Sequence, residues 1–190
     1  CWTDFKFALW HSYGIISSTE YQQKFRDGEC GVIGTDISGS DGATGILFNM
    51  DGEVIGMISD DIWEDKGDHT VNAYAISDLK SRIQLMANGG SVPYIGIYGT
   101  TVTGELQQNE GMPSGLYVIE VDPDSPAMAA GIQSGDIIWQ VSGESVSSMS
   151  SYEKAVLEEK SDAVIRVKGK RKGADGYVDL DFTVNVGDKK

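Results

Sequence analysis

Cysteine and histidine are scarce in this 190-residue sequence, which contains two of each. Cys1 and Cys30 do not have the spacing of metal ligands, and neither do the two histidines. The sequence therefore predicts no metal site, and it implies no cofactor. Two unpaired thiols are the favoured interpretation, with a disulfide as the alternative. No apolar run is long enough to span a membrane, and no signal peptide opens the chain.

Positive charge is also in short supply, because 15 Lys and Arg residues face 29 Asp and Glu residues, which gives a net charge of −14. A surplus of this sign opposes binding to nucleic acid and to anionic membrane surfaces. Hydrophobic residues make up 40% of the chain, which is enough for a core. We expect a soluble, exposed protein with one large domain or two small ones.

The most informative stretch is residues 124–136, Asp-Ser-Pro-Ala-Met-Ala-Ala-Gly-Ile-Gln-Ser-Gly-Asp. Ser125 is predicted to cap a short helix that starts at Pro126, where a missing N–H costs nothing. Gly131 stands where this helix must stop, and the Gly-Asp pair at 135–136 leads into a strand over 137–141. Together with the strand predicted at 115–121, this string resembles the core of PDZ domains.

A cluster of turn-forming residues at 88–93 divides the chain near residue 90, so the predicted domains are residues 1–90 and 91–190. A helix is predicted just before this boundary, over residues 77–87, with Ser77 or Asp78 as its cap. Its apolar face consists of Leu79, Ile83 and Met86.

The first part reads as β structure, with short apolar runs at 13–17, 29–34, 45–49, 53–59 and 73–76. The Asp51-Gly52 pair is a strong signal for a tight hairpin turn. Short strands joined by Gly-rich turns suggest a barrel or a sandwich.

The second part reads as α+β, with strands centred on residues 94–97, 116–121, 137–141, 163–168 and 177–186. A helix is predicted over 151–160, where Ser150 and Glu153 have the spacing of a capping box. Residues 168–176 are interpreted as a solvated basic hairpin loop. The fold class expected for the whole chain is mostly β with an α+β part.

Residues 35–56 contain a Gly-rich turn followed by an Asn-x-Asp-Gly-Glu-Val-Ile-Gly hairpin. The order resembles the second half-barrel of HtrA/DegP-like serine proteases, which are trypsin-like. In that family a Gly-x-Ser-Gly-Gly loop carries the nucleophile, and a PDZ domain follows the protease domain. The resemblance covers nearly the whole chain and implies an incomplete trypsin-like half β-barrel followed by a PDZ domain.

The Gly-rich loop departs from the family pattern at the residues that carry the chemistry. Ala43 falls where the family has its serine nucleophile, and an alanine has no oxygen to deprotonate. Asp41 replaces the glycine whose N–H helps to form the oxyanion hole, next to Gly42, and its carboxylate would repel a developing negative charge. Thr44, the nearest hydroxyl, is one residue out of register.

The other triad residues belong to the first half-barrel in this family, and no such sequence precedes Cys1. His11 and His69 are expected to be solvated or packed residues. The chain by itself is therefore expected not to hydrolyse peptides. We expect the exposed face of the half-barrel to cause self-association, since soluble monomers seldom carry a large apolar patch.

Tyr-Ile-Gly-Ile at 94–97 resembles the loop that receives a ligand's C-terminal carboxylate in HtrA PDZ domains. Gly96 would permit the close approach, and the apolar pocket would be formed by its neighbours Tyr94, Ile95 and Ile97. The ligand would pair beside residues 97–99. The opposite wall would be the second predicted helix, through Ser151, Tyr152 and Ala155.

Two functions remain open. The first is a proteolytically silent HtrA-like protein, a pseudoprotease whose PDZ groove binds peptide C-termini. The second is a shortened, Ser-to-Ala form of an active HtrA-like serine endopeptidase; a purely structural module is a third, weaker alternative. The resemblance implies the bacterial cell envelope, with a membrane anchor in an N-terminal segment that is missing here.

Overall fold

The computed structural model of the protein describes residues 11–39, 42–62 and 70–188. These residues form two compact units. The first contains residues 11–21 and 31–77, and the second contains residues 22–30 and 78–188. The division predicted at 90/91 stays a prediction.

The first unit is built on a five-stranded sheet with the order β1-β2-β5-β4-β3. The strands are β1 (Ile16–Phe25), β2 (Gly28–Ser38), β3 (Gly45–Phe48), β4 (Val54–Ile58) and β5 (Thr70–Ala75). The neighbouring strands β2 and β5, β3 and β4, and β4 and β5 are antiparallel. All five predicted strands are present, although the first begins at Ile16 rather than at residue 13, and the mostly β fold class is confirmed.

The hairpin that joins β3 to β4 turns as its Asp-Gly pair predicts. Gly52 has a φ of 79°, a left-handed value that favours glycine. Asn49 Oδ1 accepts hydrogen bonds from the backbone N–H groups of Asp51, at 3.0 Å, and Glu53, at 2.9 Å. The turn is exposed to solvent.

Helix α1 (Ile76–Ala87) lies where a helix is predicted, but its buried face is different. Ile83 and Met86 are exposed, whereas Arg82 is buried. The predicted apolar face is therefore wrong as a burial pattern, because a buried ion pair fixes which side of α1 faces inward. The cap is also misplaced, because α1 already begins at Ile76 and so includes Ser77 and Asp78.

The second unit contains a sheet with the order β12-β11-β9-β8-β7. Its strands are β7 (Ile97–Thr101), β8 (Leu116–Val121), β9 (Ile137–Val141), β11 (Val164–Gly173) and β12 (Gly176–Asn185). The short β10 (Glu144–Ser145) pairs with β9, and β6 (Pro93–Tyr94) pairs with β13 (Gly187–Asp188). Besides residues 78–87 of α1, the described part of the unit contains the helices α2 (Gly104–Glu110), α3 (Pro126–Ala130) and α4 (Met149–Leu157). Strand β7 is at one end of the sheet order.

The core of the second unit combines residues of the sheet with residues of α3 and α4. Its fully buried members include Ile95, Ile97, Leu116, Val118, Ile138, Val141, Met149 and Tyr152. Complete burial of one large aliphatic side chain is worth roughly 1.5–3 kcal/mol. This core fixes the segment 95–97, because its two isoleucines are both part of the core.

The motif at 124–136 folds as predicted. Ser125 Oγ accepts a hydrogen bond from Met128 N at 3.2 Å, and Pro126 is the first residue of α3. Gly131 ends the helix with a left-handed φ of 89°. The carboxylate of Asp136, which is fully buried, accepts hydrogen bonds from Arg171 Nε at 2.6 Å and Nη2 at 2.8 Å. The basic loop predicted at 168–176 is therefore not entirely a solvated turn.

Helix α4 begins two residues before its predicted start. Its N-cap is Ser148, which forms a capping box with Ser151 rather than the predicted pair of Ser150 and Glu153. The prediction was wrong because the carboxylate of Glu153 is used elsewhere: it is buried and accepts from Arg82 Nε at 2.9 Å.

Candidate peptide-binding groove

The segment 94–97 connects β6 to β7 through one glycine. Gly96 has a φ of 92°, which L side chains rarely adopt. A Cβ at this position would also lie against Ser125 and 2.9 Å from the hydroxyl of Tyr94. The sequence needs glycine here because both the backbone conformation and the space exclude a side chain.

The backbone N–H groups of this segment converge on one carboxylate, that of Asp27. Ile95 N and Gly96 N donate to Asp27 Oδ2 at 2.8 and 2.7 Å, and Ile97 N donates to Oδ1 at 3.0 Å. Tyr152 from α4 adds a hydroxyl bond to Oδ1 at 2.8 Å. Successive amides that point at one anion form a concave anion-binding site, and hydrogen bonds to an ionised acceptor are stronger than neutral ones.

Asp27 occupies the tip of the hairpin that joins β1 to β2 and is only 3% exposed. It adopts a left-handed φ of 54°, which aspartate tolerates better than most residues. Its own N–H donates to Ile97 O at 2.8 Å. The tip is therefore bound to the segment 95–97 through both its backbone and its side chain.

The strand that leads into the tip follows β7 in the antiparallel direction. Lys24 Nζ lies 2.6 Å from Thr100 Oγ1, and the guanidinium of Arg26 lies 5.1 Å from the centroid of the Tyr98 ring. Contacts thus step backwards along β7 as the chain advances towards Asp27. An added peptide strand at a sheet edge makes this type of contact.

Charged groups hold the two sides of the tip. Arg26 Nε lies 2.6 Å from Asp122 Oδ1. On the other side, Arg82 Nη2 donates to the carbonyl oxygen of Asp27 at 2.8 Å, while its Nε pairs with Glu153. Glu153 also accepts from Glu29 N at 3.2 Å.

Gly28 follows Asp27 and is packed against this ion pair. A Cβ at Gly28 would meet the guanidinium of Arg82, and it would lie 2.7 Å from the Phe25 ring and 2.8 Å from Glu153 Oε2. Any larger residue at position 28 would therefore require the tip or the side chains of Arg82, Phe25 and Glu153 to shift.

The predicted groove residues of α4 have different environments. Tyr152 is fully buried, and burial together with Asp27 raises the pKa of its hydroxyl well above the usual value, so the phenol remains a donor. Ala155 is buried in the core. The hydroxyl of Ser151 accepts from Ser148 N at 2.9 Å, so this side chain caps the helix.

The predicted loop residues divide in a similar way. Ile95 and Ile97 are fully buried. Tyr94 is half-buried and donates its hydroxyl to Asp122 Oδ2 at 2.6 Å; burial and this hydrogen bond raise the pKa of Tyr94. The structure thus brings the amides of 95–97 together with Tyr152, whereas the Ser151 hydroxyl is used within its own helix.

The predicted catalytic loop lies between β2 and β3. Ala43 is partly exposed and Gly42 is exposed, with a φ of 77°. Thr44 is also exposed, while Asp41 and His69 lie outside the described residues, as does Cys1. His11 is exposed, and Cys30 is buried. The roles assigned to Ala43, Asp41 and Gly42 stay predictions.

Sequence reasoning missed Asp27 and Arg82, the two residues that add most to this site. A signal for the first was present: Asp27-Gly28 is the same turn dipeptide that marks the hairpin at Asp51-Gly52. No comparable signal exists for Arg82, because only the folded chain brings it to Glu153.

Among the described residues, no group of three or more His, Cys, Asp or Glu side chains is arranged to hold a metal ion. A search of the same residues finds no helix long and apolar enough to cross a membrane.

Comparison with known proteins finds similar sequences. The sequence profile of the PDZ domain matches residues 93–184. A probable periplasmic serine endoprotease, DegP-like, from Halomonas elongata is 34% identical over 191 residues, which cover 96% of this chain and 39% of the relative. Serine protease HTRA3 from Mus musculus is 34% identical over 171 residues, which cover 78% of this chain and 35% of the relative.

Solved structures show the same fold. The HtrA-type protease AlgW with decapeptide superposes with a TM-score of 0.61 at 23% identity, over 93% of this chain and 55% of that one. The serine endoprotease from Yersinia pestis gives a TM-score of 0.53 at 26% identity, over 93% and 56%.

The second unit thus contains a PDZ domain. The chain as a whole belongs to the HtrA/DegP-like serine protease family, and it spans about two fifths of the length of the curated relatives named above.

Proposed function

We propose that this chain binds the C-termini of peptides or proteins in the groove between β7 and α4. The observation that carries the proposal is the convergence of three backbone N–H groups, at 95–97, on a single carboxylate. A peptide C-terminus presents the same chemical group. Capture of a terminal carboxylate by consecutive backbone amides, with strand addition beside it, is an established mode of peptide recognition.

The other features of the groove agree with this role. Strand β7 is at the end of its sheet order, so it can accept an added strand. Ile95, Ile97 and Ala155 are apolar members of the core, and we propose that they lie beneath the site of a terminal side chain. We therefore expect ligands that end in an apolar residue with a free carboxylate.

Binding is tested with fluorescein-labelled decapeptides that end in Val, Leu or Phe, each made with a free and with an amidated C-terminus. Fluorescence anisotropy is measured during titration with the full chain. We expect at least one free-carboxylate peptide to bind and its amidated form to lose roughly tenfold or more in affinity, since a hydrogen bond to a charged group is worth about 1.5–3 kcal/mol. Equal binding of the two forms would rule out carboxylate capture.

We propose in addition that the chain does not hydrolyse peptides, in the manner of a pseudoprotease. Support comes from Ala43 at the position of the family's nucleophile, because a methyl group cannot form an acyl-enzyme. The alternative is that the chain is a shortened, Ser-to-Ala form of an active endopeptidase. Reading the natural gene at codon 43 separates the two, and release of fluorescent fragments from labelled casein by this chain would contradict both.

The family assignment also supports a location outside the cytoplasm. The relative from Halomonas elongata is described as periplasmic. We propose the bacterial cell envelope as the working compartment, with a membrane anchor supplied by sequence beyond this chain. Detection of the natural protein in the cytoplasmic fraction of cells, but not in the envelope fraction, would be evidence against this.

Self-association is the remaining proposal about partners. The first unit exposes several large apolar side chains, namely Tyr13, Ile15, Ile46, Phe48, Met50, Val54 and Met57. Ile46 is paired with Met57 and Phe48 with Val54 across β3 and β4, and an exposed apolar patch usually marks an interface. We propose that a second copy of the chain covers this surface. Sedimentation velocity that shows only monomer at about 100 µM, a concentration well above the Kd of a micromolar dimer, would contradict the proposal.

A further inference from the structure

The groove proposed above already contains a carboxylate, and it belongs to the same chain. The carboxylate of Asp27 accepts hydrogen bonds from the N–H groups of Ile95, Gly96 and Ile97, and the N–H of Asp27 donates to the carbonyl oxygen of Ile97. A bound peptide would satisfy the same groups with its terminal carboxylate and its last backbone N–H. The side-chain carboxylate of Asp27 thus stands in for the α-carboxylate of a ligand.

We propose that the hairpin tip at residues 22–30 is an internal ligand of the groove, which an incoming C-terminus must displace before it can bind. This inference rests on the proposed function, because a groove that binds no peptide has nothing to compete for. The tip and an external peptide cannot use the three amides at once, since each amide has a single proton to donate.

The structure of the hairpin makes such an exchange feasible. Strand β5 pairs with β2 from Val32 to Ser38, and Asp27 lies at the turn between β1 and β2, outside these pairs. Displacement of the turn would not require these β2–β5 pairs to break.

The contacts of the tip are mainly polar: those of Asp27 and Arg82 are buried, whereas those of Arg26 are partly exposed. Arg26 is 28% exposed and Glu120, at 3.3 Å, is 59% exposed, so this ion pair contributes little. Asp27 carries only one methylene, whereas a C-terminal Val or Leu would bring a larger apolar side chain beside the amides of residues 95–97. An apolar peptide therefore gains burial that Asp27 does not provide.

The internal ligand has an advantage over an external peptide. Asp27 and the segment 95–97 belong to the same chain, so their association is intramolecular, and an external peptide competes against an effective concentration rather than a free one. If the tip occupies the groove about nine-tenths of the time, the apparent affinity for a peptide falls about tenfold, in proportion to the fraction of open groove. Mutations that open the groove should recover this factor.

The test compares the full chain with three variants. Asp27→Ala removes the internal carboxylate, and Gly28→Ala leaves it in place but adds a methyl group that collides with Arg82 and Glu153. Asp51→Ala is the matched control, because Asp51 precedes the glycine of an exposed hairpin turn. Anisotropy titration uses the Val-ended decapeptide with a free carboxylate, and NMR measures hydrogen exchange of the amides of residues 95–97 without peptide.

We expect Asp27→Ala and Gly28→Ala to bind the peptide about tenfold more tightly than the natural chain, and Asp51→Ala to bind it equally. The three amides should exchange slowly in the natural chain and faster in Asp27→Ala. If all four proteins bind alike and the amides exchange alike, the internal ligand is disproved while the proposed function stands.

If no protein of the four binds any peptide, the proposed function fails and displacement fails with it. If the amides of residues 95–97 then exchange slowly in the unsubstituted chain and fast in Asp27→Ala, the segment serves only to hold the hairpin in the folded structure.

Discussion

Two of the hairpin tips that carry an Asp-Gly pair, Asp27-Gly28 and Asp51-Gly52, have opposite environments. Asp51-Gly52 is exposed, its glycine has the left-handed φ, and nothing lies within 4 Å of a Cβ added there. At Asp27-Gly28 it is the aspartate that is left-handed, and both residues are buried. The same dipeptide therefore serves as a solvated turn in one hairpin and as a binding element in the other. The partners of the tip decide its role.

The largest effect on stability is expected from substitution of Arg82, which donates to the tip at Asp27-Gly28. Arg82→Leu leaves Glu153 as an unpaired buried carboxylate and removes the donor to the carbonyl of Asp27. Loss of one partner from a buried pair costs about 3–5 kcal/mol. Urea unfolding should show this decrease in the free energy of unfolding. The control is Arg166→Leu, whose pair with Asp181 is exposed and should cost less than about 1 kcal/mol.

Asp27→Asn sharpens the comparison because asparagine also tolerates a left-handed φ and has nearly the same shape. One carboxylate oxygen becomes an NH2 group that cannot accept from the amides. We expect a loss of roughly 2–3 kcal/mol in the same urea experiment, whereas Asp51→Asn should stay within about 0.5 kcal/mol. Equal effects at the two tips would break the comparison.

Tyr152→Phe removes one hydroxyl and leaves the ring in the core. Its expected cost is about 1.5 kcal/mol, the lower end for a hydrogen bond to a charged group. Tyr177→Phe is the control, since the described part of the chain shows no hydrogen bond to that hydroxyl. The difference in melting temperature between the two variants measures the contribution of the bond between Tyr152 and Asp27.

Substitution of Glu29 is expected to have the smallest effect on stability, and this effect depends on pH. Burial raises the pKa of Glu29 above its usual value of 4.5. The positive charge of Lys24 lowers this pKa, whereas the negative charges of Glu153 and Asp78 raise it. The folded chain therefore holds this proton more tightly than the unfolded chain, so protonation of Glu29 adds stability as the pH falls through the raised pKa. Glu29→Gln should stabilise the protein slightly at pH 7 and lose its advantage in acid. A destabilised variant at pH 7 would show that the ionised carboxylate makes a favourable contact.

Much of the second unit could be predicted because its signals are local. Ser125, Pro126 and Gly131 determine α3 through capping and backbone conformation alone, and the alternation of apolar residues marks β8 and β9. The sequence also pointed to the turn at Gly96, whose left-handed φ the structure shows, while its role as a carboxylate-binding loop stays a proposal.

Long-range pairing explains what the sequence did not reveal. Arg82 and Glu153 are 71 residues apart, yet their ion pair determines which face of α1 is buried and removes Glu153 from its predicted cap. Asp27 lies 69 residues before Gly96. Nothing in a pattern of neighbouring residues indicates that such partners will meet, although the Asp-Gly dipeptide does mark the turn.

The central claim is that the amides of 95–97 bind one carboxylate at a time, from either the hairpin or a peptide. The most direct measurement is an NMR titration of Asp27→Ala with the Val-ended decapeptide, in its free and amidated forms. We expect the amide signals of Ile95, Gly96 and Ile97 to move with the free form and to stay in place with the amidated form. Binding of the free peptide without any movement of these three signals would contradict the account.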